Sequence, residues 1–282
     1  MDHPPTPSPA AIEIIRGTGL PVVLSVPHSG CDYDPALIAR SRLGRANLER
    51  LEDPLVDRLI AGALRLGGAA VIARTPRAVI DCNRAEEELD PLAIAGRSGE
   101  APTARARAGL GLIPNRLATI GAIWREPLSE AGLAKRLAQV HRPYHAAIEA
   151  GLDLMSERWT ELVLIDCHSM PPRPPNEAKV VIGDRNGSSA APWVSDAAAE
   201  VATRLGFSVA RNVPFAGGHI VERHGIPSRG RHAIQIEIDR SCYCLRDART
   251  AGPGFERVAD LFEELTRKIG QLAAQPDRNA AE

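Results

Sequence analysis

Short apolar runs alternate with segments of helical periodicity along most of the chain. Apolar runs rich in β-branched residues and bounded by turn residues predict buried strands at 21–26, 69–73, 78–82, 162–165, 179–182, 207–213 and 232–238. Apolar positions with a 3.6-residue period predict helices at 53–66, 128–157, 193–206 and 255–274. This alternation indicates an α/β fold, with a mixed central β-sheet flanked by helices on both faces.

No change of composition marks a domain boundary, so we predict a single domain over residues 1–282. The Pro-rich start predicts a flexible tail over 1–15. Residues 85–123, rich in Gly, Ala and Arg, predict a long excursion of the kind that forms lids or binding loops. Asp53, followed by a proline, is expected to cap the helix that it precedes, and Pro143 is expected to interrupt helix 128–157.

Composition narrows the classes of partner. The chain carries 34 Lys and Arg against 35 Asp and Glu, a net charge of −1, which excludes a generally basic nucleic-acid-binding protein. No apolar run reaches the roughly 18 residues of a membrane helix, and no signal-peptide pattern opens the chain. We therefore expect a cytoplasmic protein that binds neither nucleic acid nor membrane. The sequence does not predict an oligomeric state.

Polar residues of catalytic type follow or end several of the predicted strands. His28 follows the first strand, His168 follows the run at 162–165, and Glu237 lies within the last strand. Ligands of open α/β sheets bind beyond the strand ends. Zinc hydrolysis needs His or carboxylate ligands, an open position and a general base. His28 and His168 are candidate ligands, with Glu52 or Asp53 as the third.

Two further roles complete this metal hypothesis. Glu237 is the candidate base that accepts a proton from water, with Gln235 expected to face away from it. Asp166, two residues before His168, is expected to orient a ligand by hydrogen bonding. The sequence has no HExxH helix, no GxSxG turn and no P-loop, which excludes those three kinds of site.

A set of motifs carries a resemblance over about 22–243. The motifs, in chain order, are VPHSG (26–30), the Asp-Pro pair at 53, IDCNR (80–84), HRPYH (141–145), LIDCHSM (164–170), IGD (182–184), NVPFAGGHI (212–220) and AIQIEI (233–238). In this order they resemble the N-formylglutamate amidohydrolase family. More distantly, the sequence is similar to zinc carboxypeptidases and aspartoacylase-like deacylases.

The resemblance implies a phosphorylase/hydrolase-like fold and a metal-dependent amide hydrolase that binds Zn²⁺ or another divalent metal. The implied reaction splits N-formyl-L-glutamate, a small N-acyl amino acid, into formate and glutamate, a step in histidine degradation. The roles implied by position are metal ligands at His28, Asp53 and His168, the general base at Glu237, and substrate binding at Asn83 and Arg84.

The guanidinium of Arg84 suits a substrate carboxylate because its planar fork binds both oxygens. A second substrate carboxylate leaves Arg74, Arg77, Arg125 and Arg231 open, and Arg231 is taken as the candidate. After AIQIEI the chain reads DRSCYCLRDA (239–248), which keeps Tyr243 but lacks the acidic pair that relatives tend to have.

Three alternatives stay open from the sequence. The first is a deacylase or peptidase for a different substrate, such as an N-acyl-aspartate. The second is a non-catalytic metal-binding or regulatory protein on the same scaffold. The third is a cysteine nucleophile, because Cys82 and Cys167 lie inside the motifs. The pair His141 and His145 is interpreted as packing at a helix end, because Pro143 lies between them.

Overall fold

A seven-stranded mixed sheet forms the centre of the computed structural model, which describes residues 11–275. The strands in chain order are β1 (Ile12–Ile15), β2 (Val22–Val26), β3 (Ala69–Ala73), β4 (Arg116–Leu117), β5 (Gly121–Ala122), β6 (Leu162–Met170), β7 (Val180–Gly183), β8 (Val209–Arg211) and β9 (Arg231–Asp239). The sheet order is β1-β3-β2-β6-β9-β7-β8, and β4 and β5 pair separately. Strands β3, β2, β6 and β9 are parallel, whereas β1 and β7 run antiparallel to their neighbours β3 and β9.

Helices cover both faces of this sheet. In chain order they are α1 (Pro35–Arg40), α2 (Arg45–Leu48), α3 (Val56–Leu59), α4 (Ala61–Arg65), α5 (Ala104–Arg107), α6 (Glu130–Arg136), α7 (Arg142–Ser156), α8 (Pro192–Arg204), α9 (His219–His224) and α10 (Phe255–Ala273). Within residues 11–275, no helix is both long and apolar enough to cross a bilayer. The predicted α/β class with a mixed, doubly covered sheet is confirmed.

Strand alternation divides the apolar core into two layers. Val163 and Ile165 of β6 pack with α3, α4, α8 and α10 on one face of the sheet. Leu162 and Leu164 face the opposite layer, which α6, α7 and α9 complete. Because successive side chains of a strand point to opposite faces, residues 166 and 168 belong to the second layer. That layer holds the candidate site.

The segment 52–66 differs from its predicted helix. The first helix begins at Val56 rather than Asp53, and α3 and α4 are separated at Ile60. Leu55 has a φ of 64°, a left-handed conformation that cannot belong to a right-handed helix. Asp53 therefore caps no helix. Its carboxylate points into the site instead, and the chain turns at Leu55 before helical geometry starts.

Two other predictions are wrong at the edges of the sheet. Residues 78–82 form turns rather than a strand, because the Asp81 carboxylate accepts from the backbone N–H of Asn83 and closes a tight local turn. The predicted tail over 1–15 is wrong for Ile12–Ile15, which pair antiparallel with Ala70–Ala73 as edge strand β1. The first ten residues lie outside the described part of the chain.

The predicted interruption of helix 128–157 lies just before Pro143. A π-helical turn at Leu137–His141 joins α6 to α7. Proline lacks the N–H that an α-helix would direct to the carbonyl four residues earlier, so a local change of hydrogen bonding is expected there. The wider turn places His141 and His145 on the same side, with ring centroids 4.6 Å apart.

Candidate active site

The register between β6 and β9 brings four polar side chains onto one face of the sheet. His168 is the cross-strand neighbour of Glu237, and Asp166 is the neighbour of Gln235. Residues two apart on a strand share a face, so Gln235 cannot face away from Glu237 as expected from the sequence. Its amide donates to Glu237 Oε1 at 2.8 Å. Ile236, between them, belongs to the other layer.

His28, Asp53 and His168 converge on one point. Asp53 Oδ2 lies 3.2 Å from His28 Nδ1 and 2.9 Å from His168 Nδ1. The two imidazole ring centroids are 4.8 Å apart, and all three side chains are buried. One oxygen and two nitrogens of metal-ligand type therefore meet beneath the surface, on the loops after β2 and before α3 and on strand β6.

The outer nitrogen of each imidazole is bonded to a carboxylate. His28 Nε2 lies 2.7 Å from Asp81 Oδ1, and His168 Nε2 lies 2.8 Å from Asp166 Oδ2. A carboxylate accepts only, so both Nε2 atoms donate and fix the ring orientations. Asp166 is placed where the sequence predicted a positioning residue. Asp81 makes the equivalent contact with His28, and sequence reasoning missed it because residues 78–82 were expected to form a strand.

This donor set fits a divalent metal ion. A carboxylate oxygen and a bare Nδ1 both only accept, so with Nε2 protonated each Nδ1 meets Asp53 Oδ2 through a proton or, in its place, through a metal ion. Burial alone would lower the pKa of His168, but Asp166 and Asp53 hold it well above its usual value. Ligand separations of 2.9–3.2 Å also approach the edge of about 3.3 Å of a tetrahedron with zinc bonds of about 2.0–2.1 Å.

The second oxygen of Asp53 is held by a residue that sequence reasoning missed. Arg240 Nη2 donates to Asp53 Oδ1 at 3.0 Å, and Arg240 Nε donates to Ser169 Oγ at 3.0 Å. Burial raises the pKa of Asp53, but the bonds to His168 and His28 outweigh it and keep the pKa well below the usual value. Glu52, the alternative carboxylate, points elsewhere and pairs with Arg249 at 2.9 Å. The structure thus brings Asp53 to both imidazoles.

Glu237 lies beside His168 on the same face of the sheet, and the pKa of its carboxyl group is shifted. Burial, aided by the Asp53 charge, raises the pKa of Glu237 to about 7, although His168 and Arg77 act in the opposite direction. A carboxyl with a pKa near 7 both accepts and returns a proton close to neutral pH. Its position beside His168 puts this carboxyl group on the face where His28, Asp53 and His168 converge.

Asn83 links the site to the loop that precedes α9. Its carboxamide oxygen accepts from Ile220 N at 2.9 Å, and its NH₂ donates to Asp166 Oδ2 at 3.2 Å. Gly218 packs directly against this carboxamide, where any Cβ would collide with it. The Gly217-Gly218 pair therefore permits a close backbone approach. Asn83 holds the walls of the site together as well as lining it.

A cavity of about 310 Å³ opens above these residues, a size suited to a small molecule. Five arginines line it: Arg50, Arg77, Arg84, Arg105 and Arg240. The cavity lining includes only two carboxylates, Asp53 and Glu237. This excess of cations favours an anionic ligand. Among the described residues, Arg50 and Arg105 are exposed, and their side chains have no hydrogen-bond or ion-pair partner.

The two arginines expected to bind substrate have different places. Arg84 lines the cavity, but its Nε donates to Leu110 O and its Nη1 to Asn83 O, which leaves Nη2 facing Asp81 at 3.9 Å. Arg231 lies at the opposite end of β9 from Glu237. It pairs with Glu149 and Asp153 of α7, so its assignment to the substrate site is wrong.

The motif cysteines have no access to the cavity. Cys167 points into the core layer opposite to His168, and its Sγ donates to Ile165 O at 3.3 Å. Cys82 is buried in the other apolar layer. Burial raises the pKa of both thiols, well above the usual value for Cys167. Neither residue is set up as a thiolate nucleophile.

Comparisons with known proteins agree with this arrangement. The model of the N-formylglutamate amidohydrolase family matches residues 20–244. An N-formylglutamate deformylase of Pseudomonas putida is 30% identical over 232 residues, covering 79% of this chain and 82% of the relative. Another, from Pseudomonas aeruginosa, is 28% identical over 261 residues, covering 90% of this chain and 91% of the relative.

A solved structure supports the same relationship. The crystal structure of N-formylglutamate amidohydrolase from Ralstonia eutropha JMP134 superposes with a TM-score of 0.86 and 30% sequence identity. The match covers 94% of this chain and 98% of that chain.

The fold, the buried histidine–carboxylate cluster and these relatives define an amide hydrolase. The chain belongs to the N-formylglutamate amidohydrolase family.

Proposed function

We propose that this protein hydrolyses the formyl–nitrogen bond of N-formyl-L-glutamate with a divalent metal, Zn²⁺ by preference. The observation that carries the proposal is the convergence of His28, Asp53 and His168 beside Glu237, at the floor of an arginine-lined cavity. The relatives named as N-formylglutamate deformylases support the choice of substrate. The proposed substrate carries two carboxylates, which suits the charge of that lining.

His28, Asp53 and His168 would hold the ion. Bound there, Zn²⁺ would supply Lewis acidity to the formyl oxygen and lower the pKa of a water molecule. Asp81 and Asp166 would keep both imidazoles in the tautomer that presents Nδ1 to the ion. Arg240 holds Asp53 from its other oxygen, so the carboxylate cannot rotate away from the two imidazoles.

Glu237 would move the protons of the reaction. Its carboxylate accepts a proton from water, the water oxygen bonds to the formyl carbon, and the carbon–nitrogen bond breaks. The same carboxyl group then gives the proton to the leaving nitrogen, which yields formate and glutamate. The raised pKa of Glu237, about 7 because of burial, matches a group that must accept and then donate near neutral pH.

The substrate carboxylates would be bound by arginines at the cavity mouth. Arg50 and Arg105 are exposed and have no partner among the described residues, so their guanidinium groups are available. Arg77 donates through Nε to Asp81 Oδ2, at 2.8 Å. Arg84 already donates through Nε and Nη1 to two backbone carbonyls. The substrate's α- and side-chain carboxylates are therefore assigned chiefly to Arg50 and Arg105.

Replacing Arg105 by Gln is expected to raise KM for N-formyl-L-glutamate about 10- to 100-fold with kcat nearly unchanged. A charge-assisted hydrogen bond contributes about 1.5–3 kcal/mol, and one that is equal in ground and transition states affects only binding. Steady-state kinetics measure both constants. Arg107→Gln, on the same helix but outside the cavity lining, is the matched control. A KM that shifts equally in both variants would contradict the assignment.

Replacing Asp81 by Asn is expected to weaken metal binding at the active site about 10- to 100-fold, because the carboxylate that orients His28 is lost. The measured quantity is the buffered Zn²⁺ concentration that restores half of the maximal formate release. Asp90→Asn removes a buried carboxylate outside the site and serves as control. An unchanged Zn²⁺ requirement in Asp81→Asn would remove Asp81 from this role.

A substrate panel tests the proposed function against its rivals. We expect kcat/KM for N-formyl-L-glutamate to exceed that for N-formyl-L-glutamine at least about 10-fold, because the amide cannot form a charge-assisted bond with arginine. N-acetyl-L-aspartate represents the deacylase alternative. Preference for that compound would identify a different substrate, and no release of acid from any panel member would favour a non-catalytic protein.

A further inference from the structure

Three histidines outside the catalytic cavity form a second cluster of metal-ligand type. His141 ends the π-helical turn, His145 lies one turn later on α7, and His219 begins α9. One nitrogen from each ring lies within 4.8 Å of the others. None of the three lines the catalytic cavity. His141 and His145 are 0% and 1% exposed, and His219 is half-buried.

The tautomer of His141 is fixed by the backbone. His141 Nε2 lies 2.8 Å from the carbonyl oxygen of Arg84, which only accepts, so Nε2 carries the proton. Burial lowers the pKa of His141, so the ring is neutral at neutral pH. Its Nδ1 is therefore a lone pair. This buried atom has no hydrogen-bond partner.

The tautomer of His145 is fixed through a chain of two hydrogen bonds. His224 Nδ1 donates to Glu149 Oε2 at 3.2 Å, which leaves His224 Nε2 as an acceptor. His145 Nδ1 lies 3.0 Å from that acceptor and must donate to it. Burial, reinforced by the neighbouring histidines, lowers the pKa of His145 to about 2, so the ring is neutral. Its Nε2 is a second buried lone pair without a partner.

We propose that His141, His145 and His219 hold a second divalent transition-metal ion, distinct from the one at the catalytic cavity. His141 and His145 each carry a buried acceptor nitrogen without a partner, and a cation bound between the three rings would satisfy such acceptors. Neutral imidazole nitrogens suit zinc, copper, nickel and iron, and three of them leave a position open on a tetrahedral ion. This proposal does not rest on the proposed substrate.

Charges around the cluster are of both signs. Glu86 Oε1 lies 4.0 Å from His141 Nδ1, although Arg142 binds Glu86 at 2.8 Å. The charge of Arg223 disfavours protonation of the three rings, and Glu222 acts in the opposite direction on His219. Burial is the largest cause of the lowered pKa of all three rings, and it keeps the imidazoles neutral, which is the state that coordinates a metal.

An ion bound by these three histidines would stabilise the segment at 83–84, which lines the catalytic cavity. His141 holds the carbonyl of Arg84, and Ile220, next to His219, holds the carboxamide of Asn83. Joining the π-helical turn, α7 and α9 through one ion would therefore fix the loop at 83–84 from two directions. Its role would be structural, since the cluster does not reach the cavity.

Metal stoichiometry tests this proposal. Tag-free protein is stripped with a chelator, loaded with Zn²⁺ alone, dialysed and analysed by inorganic mass spectrometry. We expect two ions per chain in the wild type, one in His219→Gln, one in His168→Gln and none in the double variant. Loss of one of three ligands should lower the metal affinity of the second site by more than about 100-fold. Loss of a residue that only orients a ligand lowers metal affinity by about 10- to 100-fold. His219 is half-buried, so its replacement is the least disruptive of the three.

Controls separate the two sites and the fold. His232→Gln replaces a buried histidine outside both clusters and should retain two ions. In chelator, His219→Gln and wild type should unfold at the same temperature. With Zn²⁺ present, only wild type should gain stability from an ion at the second site. Two results would overturn the proposal. The first is one ion in wild type that is also present in His219→Gln, and the second is two ions in both proteins. Formate release plays no part in these readings, so they fail independently of the proposed function.

Discussion

Replacing Glu237 by Gln is expected to lower kcat for formate release about 10²- to 10⁴-fold, the range that general acid–base catalysis supplies. Gln keeps the size of the side chain and its contact with Gln235, but it neither accepts nor returns a proton. Because Glu237 is not one of the three converging ligands, metal content should be unchanged. Steady-state kinetics and metal analysis of the same preparation measure both quantities.

The control for this variant is Glu200→Gln, an exposed residue of α8 that should retain wild-type kcat. A Glu237→Gln enzyme with the wild-type rate would remove Glu237 from proton transfer. A variant that loses metal together with activity would instead make Glu237 part of the metal site.

Replacing Asp53 by Asn is expected to remove the ion at the catalytic cavity and to reduce formate release to the level of chelator-stripped protein. The amide is neutral and a poorer ligand, so metal affinity should fall by more than about 100-fold. It also removes the negative charge that pairs with the buried Arg240 guanidinium, which adds a loss of stability of about 3 kcal/mol or more. Thermal unfolding and metal analysis read these two effects separately.

Glu52→Gln is the matched control, since it changes the adjacent buried carboxylate that pairs with Arg249. It should keep the full metal content and most of the activity. Loss of metal in Glu52→Gln but not in Asp53→Asn would reverse the choice of carboxylate between the two residues.

Local pattern predicted the strands that carry the chemistry because their side chains alternate. The runs at 162–165 and 232–238 became β6 and β9, and their parallel register follows from the fold class. The register between β6 and β9, which no local pattern shows, places His168 beside Glu237 on one face. The edge strand Ile12–Ile15 was missed because its residues are half-buried or exposed and the strand exists through its pairing with β3, which no local signal shows.

The local sequence pattern does not predict the positions of side chains whose partners are distant in sequence. Arg240 binds Asp53 across 187 positions, and no spacing rule connects them. Arg231, predicted to bind substrate, lies at the start of β9, at the end of the sheet opposite to the site. The Asp-Pro pair at Asp53 predicts a helix cap, and tertiary contacts outweigh that preference.

Arg240 lies in the segment 239–248, where the chain departs from its relatives, and its contact with Asp53 gives this segment a place beside the site. Residues 239–248 keep Tyr243, whose hydroxyl donates to Pro54 O at 2.9 Å and so fixes the turn after Asp53. The segment therefore supports the candidate ligand from two sides, through Arg240 and Tyr243. The missing acidic pair leaves these contacts intact.

Metal-dependent release of formate tests the central claim most directly. Chelator-stripped protein is incubated with N-formyl-L-glutamate across a series of buffered Zn²⁺ concentrations, and formate is quantified by proton NMR. We predict no release above the uncatalysed rate without metal and saturable recovery as Zn²⁺ fills His28, Asp53 and His168. Full formate release by protein shown to be free of metal would contradict the account.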